Sequence, residues 1–408
     1  MFKLFSNLWK EKVFIKTYFI GIKMNNFINS LEQSGIRSMT MKCEKINGIN
    51  LGQGICDIAT SKHIKIAANE AINRNYNTYA PYQGLEPLRE AILEKLSSYN
   101  RISKPSLDRL LVTHGSTGGF VAALKVLFQK GDEAILFEPF YGYHRQLLEL
   151  HEVTIKTISI DINNNFSFEP QDILQLINEK TKAIILCNPS NPSGKVFSIK
   201  ELKQIGEIAI KNNIYILTDE IYEHIIYPPQ FHTSIASIPE YAERVIMLSG
   251  FSKTYHITGW RIGYAYGPYD IIKKIGLIHD LLYICPPTPL QLGAAAALNL
   301  PETYYDDLIT TFFNKRKMII DPLRDIGFSI VAPQGAYYLM ADYSNLELPV
   351  DSEIAANILL EEAKVSTVPA KYFYLNKELS KNKIRFCFAV SDQKIEQAIQ
   401  NLKKYFSC

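Results

Sequence analysis

Between about residues 60 and 300, short apolar runs alternate with stretches of helical pattern, and this alternation is the feature that most constrains the fold. Several runs are apolar at every position, as expected for strands covered on both faces of a sheet. In the stretch 199–212, Leu202, Ile205 and Ile208 recur at helical spacing. Strands that alternate with helices indicate a mainly parallel α/β sheet. The predicted strands are Leu110–Thr113, Ala134–Phe137, Thr154–Ile160, Ala183–Cys187, Ile214–Thr218 and Val245–Leu248.

After about residue 300 the pattern changes to two long helical segments, a few short strands and a last helix near 391–405. This order is typical of a smaller α+β domain. Residues 24–58 precede the alternating region and lack its rhythm, so we expect them to join the small domain. The predicted division is an N-terminal extension or arm over 1–23, the joining segment 24–58, a large domain over 59–305 and a small domain over 306–408.

Charge and cysteine content exclude several classes of protein. The chain has 44 basic and 41 acidic residues, and this balance gives no reason to expect nucleic acid or an anionic membrane as partner. The six cysteines form no CxxC pair, which predicts reduced thiols of a cytoplasmic protein and no metal site. Charged residues interrupt the apolar first 23 residues, so no run reaches the roughly 18–20 residues of a membrane span. We interpret this segment as an arm or as an upstream start before Met24.

The segment Ser249–Tyr266, SGFSKTYHITGWRIGYAY, carries the strongest chemical signal. A predicted strand leads into a Gly/Ser turn and then Lys253, and ligands of α/β folds bind at this end of the strands. A lysine amine forms Schiff bases with carbonyl groups, and burial or nearby cations lower its pKa. Ser252 and Arg261 would add a hydroxyl donor and a guanidinium, a combination suited to phosphate. We therefore interpret Lys253 as catalytic and not as a solvated loop lysine.

Four other predicted strands end in turns that could serve the same site. The turn after the first strand is rich in glycine and opens a helix, where backbone N–H groups bind phosphate. The others offer an aromatic ring, a rigid Asn-Pro turn and a carboxylate. Each turn alone is also compatible with a purely structural role as a connector, a core tyrosine, a rigid turn or a helix cap. The four segments are HGSTGG at 114–119, EPFYGY at 138–143, NPSNPSG at 188–194 and DEIY at 219–222.

From about residue 45 to 405, these motifs and their order resemble the class I/II aminotransferases of pyridoxal-phosphate (PLP) fold type I. The resemblance implies a mainly parallel seven-stranded sheet between helices, a smaller α+β domain and PLP as the cofactor. It also implies that Lys253 holds PLP as a Schiff base and that an aspartate keeps the cofactor ring nitrogen protonated. The implied cofactor contacts are Gly115, Ser116, Thr117, Ser252 and Arg261 at the phosphate, Tyr141 on the ring face, Asp219 at the ring nitrogen, and Asn191 and Tyr222 at the phenolic oxygen.

The resemblance also implies the substrate contacts. Arg385, in IRFCFAV, corresponds to the arginine that binds the substrate α-carboxylate, and Gly54 and Asn191 lie at matching positions of the same subsite. Tyr79 corresponds to a tyrosine that reaches the PLP phosphate of the other subunit, which implies a homodimer with shared active sites. Some aspartate-specific relatives carry a lysine where this chain has Ser116 and Thr117, which counts against a strict aspartate preference.

The predicted function is transfer of the amino group of an L-amino acid to a 2-oxo acid by a ping-pong mechanism, with Lys253, Asp219 and Tyr222 as catalytic residues. Aromatic, methionine, glutamine, alanine and aspartate donors are all compatible with these residues. A C–S β-lyase or a decarboxylase could use the same residues, and pyruvate plus ammonia formed without an acceptor would identify the lyase. A PLP-binding sensor without catalysis is the third alternative, against which the full set of site residues argues.

Overall fold

The structure is a computed structural model that describes residues 33–54 and 56–407. The predictions for the segment 1–23 and for a start at Met24 lie outside the described residues. The domain limits at 58/59 and 305/306 stay predictions. None of the described helices combines the length and the apolarity that crossing a membrane requires.

The large sheet has seven strands in the order β2-β8-β7-β6-β5-β3-β4. Neighbouring strands from β7 to β4 are parallel, whereas β8 runs antiparallel to both β2 and β7. The predicted mainly parallel α/β sheet is therefore confirmed. The strands are β2 (Leu110–His114), β3 (Glu133–Glu138), β4 (Thr154–Ser159), β5 (Thr181–Cys187), β6 (Tyr215–Asp219), β7 (Val245–Gly250) and β8 (Ile262–Tyr266).

Helices cover both faces of this sheet, which explains why its strands are apolar at every position. Along β5, Ile184 and Leu186 join one buried cluster, while Ala183 and Ile185 join another. This alternation follows from the two-residue period of a strand. The helices in this part of the chain are α2 (Lys62–Asn73), α3 (Glu86–Ser98), α4 (Gly115–Leu127), α5 (Gly142–Leu150), α6 (Pro170–Leu176), α7 (Ile199–Lys211), α8 (Tyr269–Tyr283) and α9 (Thr288–Leu298).

A second, antiparallel sheet of four short strands follows, in the order β12-β13-β10-β9. It shares a separate core with the early segment of the chain, whose strand β1 pairs with β11. The predicted smaller α+β domain is confirmed in its class. Its strands are β1 (Ile49–Asn50), β9 (Ser329–Ile330), β10 (Tyr338–Asp342), β11 (Val365–Ser366), β12 (Val368–Pro369) and β13 (Lys383–Cys387), and its helices are α1 (Gly35–Lys45), α10 (Glu302–Ile326), α11 (Ser352–Glu361) and α12 (Asp392–Phe406).

Candidate active site

Lys253 lies in the turn after β7, where it meets the early segment of the chain. Its Nζ donates a hydrogen bond to the carbonyl oxygen of Gly54 at 3.2 Å. The pKa of Lys253 is lowered to about 8, chiefly by burial; Cys387 and Asp219 oppose this shift, whereas Arg261 and Arg385 add to it. Burial disfavours the charged ammonium because the interior solvates it poorly. At neutral pH roughly one Lys253 amine in ten is therefore neutral and able to act as a nucleophile or a base.

The glycine-rich turn opens α4, and the guanidinium of Arg261 lies against its first residue. A Cβ atom at Gly115 would stand only 2.4 Å from Nη2 of Arg261, and Gly115 has φ +66°, so this position requires glycine. No side chain caps the helix. The first amide groups of a helix have no partners within it. Ser116 and Thr117 supply two of these amides, so they and Arg261 form a cationic cradle that fits a phosphate.

Asp219 ends β6, is buried, and contacts a histidine that the sequence analysis did not identify. His144 Nε2 and Asp219 Oδ2 are 3.1 Å apart. His144 lies on α5, three residues after Tyr141, whose ring meets the imidazole edge-on at 5.2 Å. Residues three apart share one face of a helix. This spacing from the predicted stacking ring is the signal that could have identified His144.

Arg385 lies on β13 and has no solvent exposure. Its Nη1 donates to Asn191 Oδ1 at 2.8 Å, and its Nη2 donates to the carbonyl oxygen of Gly52. The buried Nε has no hydrogen-bond partner among the described residues. A buried guanidinium that meets only neutral groups, with a donor to spare, suits a carboxylate ligand.

Two tyrosines at the start of β10 complete the site, and the sequence analysis did not single them out. The hydroxyl groups of Tyr338 and Tyr222 are 3.1 Å apart. The hydroxyl of Tyr337 donates to the Gly54 carbonyl at 3.2 Å, so Gly54 accepts hydrogen bonds from both Tyr337 and Lys253. Their position in YYLMADY gave only a weak indication of a functional role, because aromatic residues in a predicted strand are usually part of the core.

Most of the predicted residues lie together, and Tyr79 is the exception. Its side chain is 79% exposed, which leaves it available to another molecule. Ser252 is buried beside Lys253 in the same turn.

The site contains three cations that no carboxylate neutralises. Within the described part of the chain, Lys253, Arg261 and Arg385 form no ion pair with an acidic side chain within 4.0 Å. Their observed hydrogen-bond acceptors are the carbonyls of Gly54, Thr258 and Gly52 and the amide oxygen of Asn191. Cations with little solvent contact need negative partners. The geometry therefore fits a ligand set with a phosphate at one end and a carboxylate at the other, as PLP and an amino acid would supply.

Comparisons with known proteins agree with this chemistry. The family "Aminotransferase class I and II" matches residues 46–402. The chain is 35% identical over 364 residues to a probable aspartate aminotransferase of Methanocaldococcus jannaschii, covering 88% of this chain and 93% of that protein. It is 30% identical to the methionine aminotransferase of Escherichia coli, over 90% and 94% of the two chains.

Solved structures show the same relationship. The N-succinyldiaminopimelate aminotransferase from Mycobacterium tuberculosis superimposes with a TM-score of 0.89 at 28% identity, covering 93% of this chain and 99% of that one. Neither the lyase nor the sensor alternative is favoured by these relatives. The chain belongs to the class I and II aminotransferases and is a PLP-dependent transaminase of fold type I that acts on amino acids and 2-oxo acids.

Proposed function

We propose that Lys253 is the residue that holds the cofactor and moves the proton at the substrate Cα. The observation that carries this proposal is the buried Lys253 amine with two further cations near it, Arg261 and Arg385, none of the three paired with a carboxylate among the described residues; the pKa of Lys253 is lowered to about 8, chiefly by burial. When bound, PLP supplies an aldehyde that reacts with amino groups and a ring that withdraws electrons from Cα. Lys253 Nζ takes the Cα proton of the amino donor and, in the second half-reaction, returns one to Cα of the new amino acid.

Arg385 and Gly54 orient the substrate through its α-carboxylate in this proposal. The free Nε of Arg385 and the fixed geometry of its other two nitrogens support a directional contact with a carboxylate. Asn191 holds the guanidinium from the side and adds a polar contact of its own. Holding the carboxylate fixes the position of the Cα–H bond relative to the Lys253 amine, and such positioning accounts for much of the rate of an enzyme.

The remaining residues hold the cofactor. The first turn of α4, Ser252 and Arg261 bind its phosphate, because amide dipoles and a guanidinium favour a dianion. Asp219, supported by His144, keeps the ring nitrogen protonated, since a nearby carboxylate stabilises a cation. The other cofactor contacts are Tyr141 on the ring face and Asn191 and Tyr222 at the phenolic oxygen.

A homodimer with shared active sites is part of the proposal. Helix α8 exposes an apolar stripe in which Leu277 is 54% and Leu281 is 82% exposed. A stripe of this kind is typical of an interface. The ring of Tyr82 packs on the same helix at Gly276, which brings the chain near Tyr79 to this face. Tyr79 would then reach the phosphate site of the second subunit.

Complementation between variants tests the shared site. A mixed dimer of Lys253→Ala and Tyr79→Ala subunits contains one site with both residues intact. We expect mixing and reassociation to raise activity above that of either variant alone. No gain would place Tyr79 outside the site. Sedimentation of Leu281→Glu, with Ile210→Glu at another exposed apolar position as control, tests the face itself.

The identity of the amino acid that donates the amino group is the next question. Relatives named as aspartate and methionine aminotransferases make aspartate and methionine the first donors to assay. Ser116 and Thr117 at the phosphate turn favour a donor range wider than aspartate. We also propose a cytoplasmic location, which the five described cysteines support because all are free thiols.

Replacement of Lys253 tests the central assignment. We expect Lys253→Ala to lower transamination by at least about 10³-fold, because it removes both the covalent attachment and the base. Lys200→Ala, at an exposed lysine, is the control and should keep full activity. Borohydride treatment of the holoenzyme followed by peptide mapping should label Lys253. Normal turnover of Lys253→Ala, or a label on another lysine, would refute the assignment.

A further inference from the structure

Tyr338 contacts three of the residues assigned above and has no role among them. It opens β10 opposite Cys387 of β13, and Arg385 lies two residues before Cys387. Side chains at such diagonal positions share one face of an antiparallel pair and lie within reach of each other. The register therefore places the Tyr338 ring beside the Arg385 guanidinium.

The ring of Tyr338 lies against that guanidinium. The Cζ atom of Arg385 is 4.3 Å from the Tyr338 ring centroid and 4.9 Å from that of Phe373. A cation over an aromatic face is attracted by the ring quadrupole, and the attraction grows when water is excluded. Tyr338 is 2% exposed and Arg385 has no exposure, so both partners are dry. The ring thus helps to fix the plane in which Arg385 presents its nitrogens.

The hydroxyl of Tyr338 contacts two other residues of the site, Tyr222 and Gly54. It lies 3.1 Å from the hydroxyl of Tyr222. It also fills the space beside Gly54, where a Cβ atom would stand 1.8 Å from the Tyr338 oxygen. Only glycine fits there, because any side chain would collide with this phenol. Burial raises the pKa of Tyr338 to about 12, opposed by Arg385, so the hydroxyl keeps its proton and can donate.

We propose that Tyr338 is a positioning residue that acts on both halves of the site, its ring orienting Arg385 for the carboxylate and its hydroxyl strengthening Tyr222 as a hydrogen-bond donor. The inference rests on the proposed function of Arg385 and Tyr222. A phenol that accepts a hydrogen bond becomes a better donor, because hydrogen bonds in a chain polarise one another. The two effects reside in different atoms of one side chain and can be separated.

Two substitutions make the separation. Tyr338→Phe removes the hydroxyl and keeps the ring, whereas Tyr338→Leu removes both. One probe is maleate, a carboxylate without an amino group, used as a competitive inhibitor of the holoenzyme. The other is the pH midpoint of the absorbance change of the resting holoenzyme, which reports on hydrogen bonding at the cofactor independently of turnover. Tyr343→Phe is the matched control, since Tyr343 is buried next to the same strand and its hydroxyl donates to backbone carbonyls.

We expect the inhibition constant of maleate to rise about tenfold in Tyr338→Leu, together with the KM of the amino donor, and to stay within about twofold in Tyr338→Phe. The absorbance midpoint should move to higher pH in both variants, because Tyr222 donates more weakly in each. The control should change neither quantity. If Tyr338→Leu does not fold, Tyr338→Met replaces it as the variant without a ring, because Met has nearly the volume of Leu and its flexible side chain fills gaps more readily.

Unchanged maleate inhibition in the Leu or Met variant together with an unchanged midpoint in Tyr338→Phe would overturn the inference. Equal weakening of inhibition in Phe and Leu variants would also overturn it, since the ring would then not matter. Failure of the proposed function gives a different result. In that case the wild-type holoenzyme itself would show no competitive inhibition by maleate, and normal wild-type inhibition with unaffected variants contradicts only the role of Tyr338.

Discussion

The end of β6 and the turn after it carry three acidic residues, Asp219, Glu220 and Glu223, which lie in two different clusters. Asp219 and Tyr222 belong to the proposed active site, while Glu220 and Glu223, which alternate with them along the chain, belong to a second buried cluster. Both clusters are charged and withdrawn from water. In the cluster of Glu220 and Glu223, side chains of the protein neutralise the charges, as in a structural network. In the proposed active site, three cations have no carboxylate partner among the described residues, as in a binding site for anions.

Protein donors satisfy Glu223 completely. Its carboxylate pairs with Lys95 Nζ at 2.5 Å and accepts from Asn100 at 2.7 Å and from Ser249 at 2.5 Å. Burial raises the pKa of Glu223, but the Lys95 ammonium, with further contributions from His224 and His232, more than reverses this and lowers the pKa to about 2. A buried ion pair with this many hydrogen bonds offsets much of its own desolvation cost.

Glu220 is satisfied in the same way. Its carboxylate meets His232 Nε2 at 2.8 Å and accepts from Ser234 at 3.0 Å and Thr218 at 3.2 Å. Oxygen and nitrogen atoms of Glu220, Glu223 and His232 lie within 4.8 Å of one another, a spacing that could suit a metal ion. Their acceptor positions are already filled by protein donors, and Lys95 would repel a cation. The two carboxylates are therefore balanced by protein donors, whereas the candidate active site has three cations without a carboxylate partner among the described residues.

The largest test of this contrast is a pair of neighbouring substitutions. We expect Asp219→Asn to lower kcat by more than about 10³-fold, because an amide cannot stabilise a protonated ring nitrogen by charge. Glu220→Gln, one residue further along, should keep the kcat of the folded enzyme. Steady-state kinetics on protein of verified circular dichroism makes the comparison. An equal loss of kcat in the two variants would contradict the assignment of Asp219 and Glu220 to clusters of different function.

Breaking the ion pair between Lys95 and Glu223 should lower the stability of the fold and leave kcat unchanged. We expect Lys95→Met to lower the free energy of unfolding by about 3–5 kcal/mol, because it leaves Glu223 charged and buried without its cation. The double variant Lys95→Met/Glu223→Leu should regain most of the loss, since both charges are then absent. Urea unfolding measures the stabilities. A fall in kcat of folded Lys95→Met, with unchanged stability, would assign this cluster to catalysis instead.

The same pair predicts an acid-sensitive contribution to stability. Because the folded-state pKa of Glu223 is depressed from 4.5 to about 2, its contribution is present above about pH 5 and is lost as pH falls toward 2. The full loss is about 3 kcal/mol, of which about 2 kcal/mol is expected between pH 6 and pH 3. Urea unfolding at pH 6 and pH 3 of wild type and Glu223→Gln measures it, and the variant should lose less. Parallel losses in both proteins would mean that folding does not depress the pKa of Glu223.

The sequence predicted the sheet well because its buried strands are apolar at every position. It did not identify β8 as a strand, since IGYAY contains glycine and follows a turn motif that drew the chemical interpretation. Gly263 in β8 is required because a Cβ there would stand 2.5 Å from the backbone nitrogen of Ser116, a contact between distant segments. Such a close approach depends on tertiary structure and leaves no local pattern.

The same reason explains what was missed in the site. Lys253, Asp219 and Asn191 follow strands in recognisable motifs, so their order along the chain predicted them. The roles proposed for His144 and Tyr338 depend on contacts with residues that are distant in sequence, Asp219 for His144 and Arg385 and Tyr222 for Tyr338. Nothing in the sequence separates Glu220 and Glu223 from Asp219 by chemistry, because all three are acids in one turn. The partners that neutralise the two glutamates distinguish them only in the folded protein.

The smallest expected effect concerns His144, whose Nε2 lies within hydrogen-bond distance of the Asp219 carboxylate. His144 supports Asp219 at 3.1 Å, so His144→Asn should lower kcat about tenfold, the equivalent of about 1.4 kcal/mol, by weakening the hold on the Asp219 carboxylate. His151→Asn, at the end of the same helix, is the control, because among the described residues the His151 side chain hydrogen-bonds only to the carbonyl oxygen of Leu147. Its kcat should match wild type. If His144→Asn lost stability without losing rate, His144 would serve the fold alone. Catalysis by Asp219 would then not depend on a neighbouring side chain, unlike the charge of Glu223, which depends on Lys95.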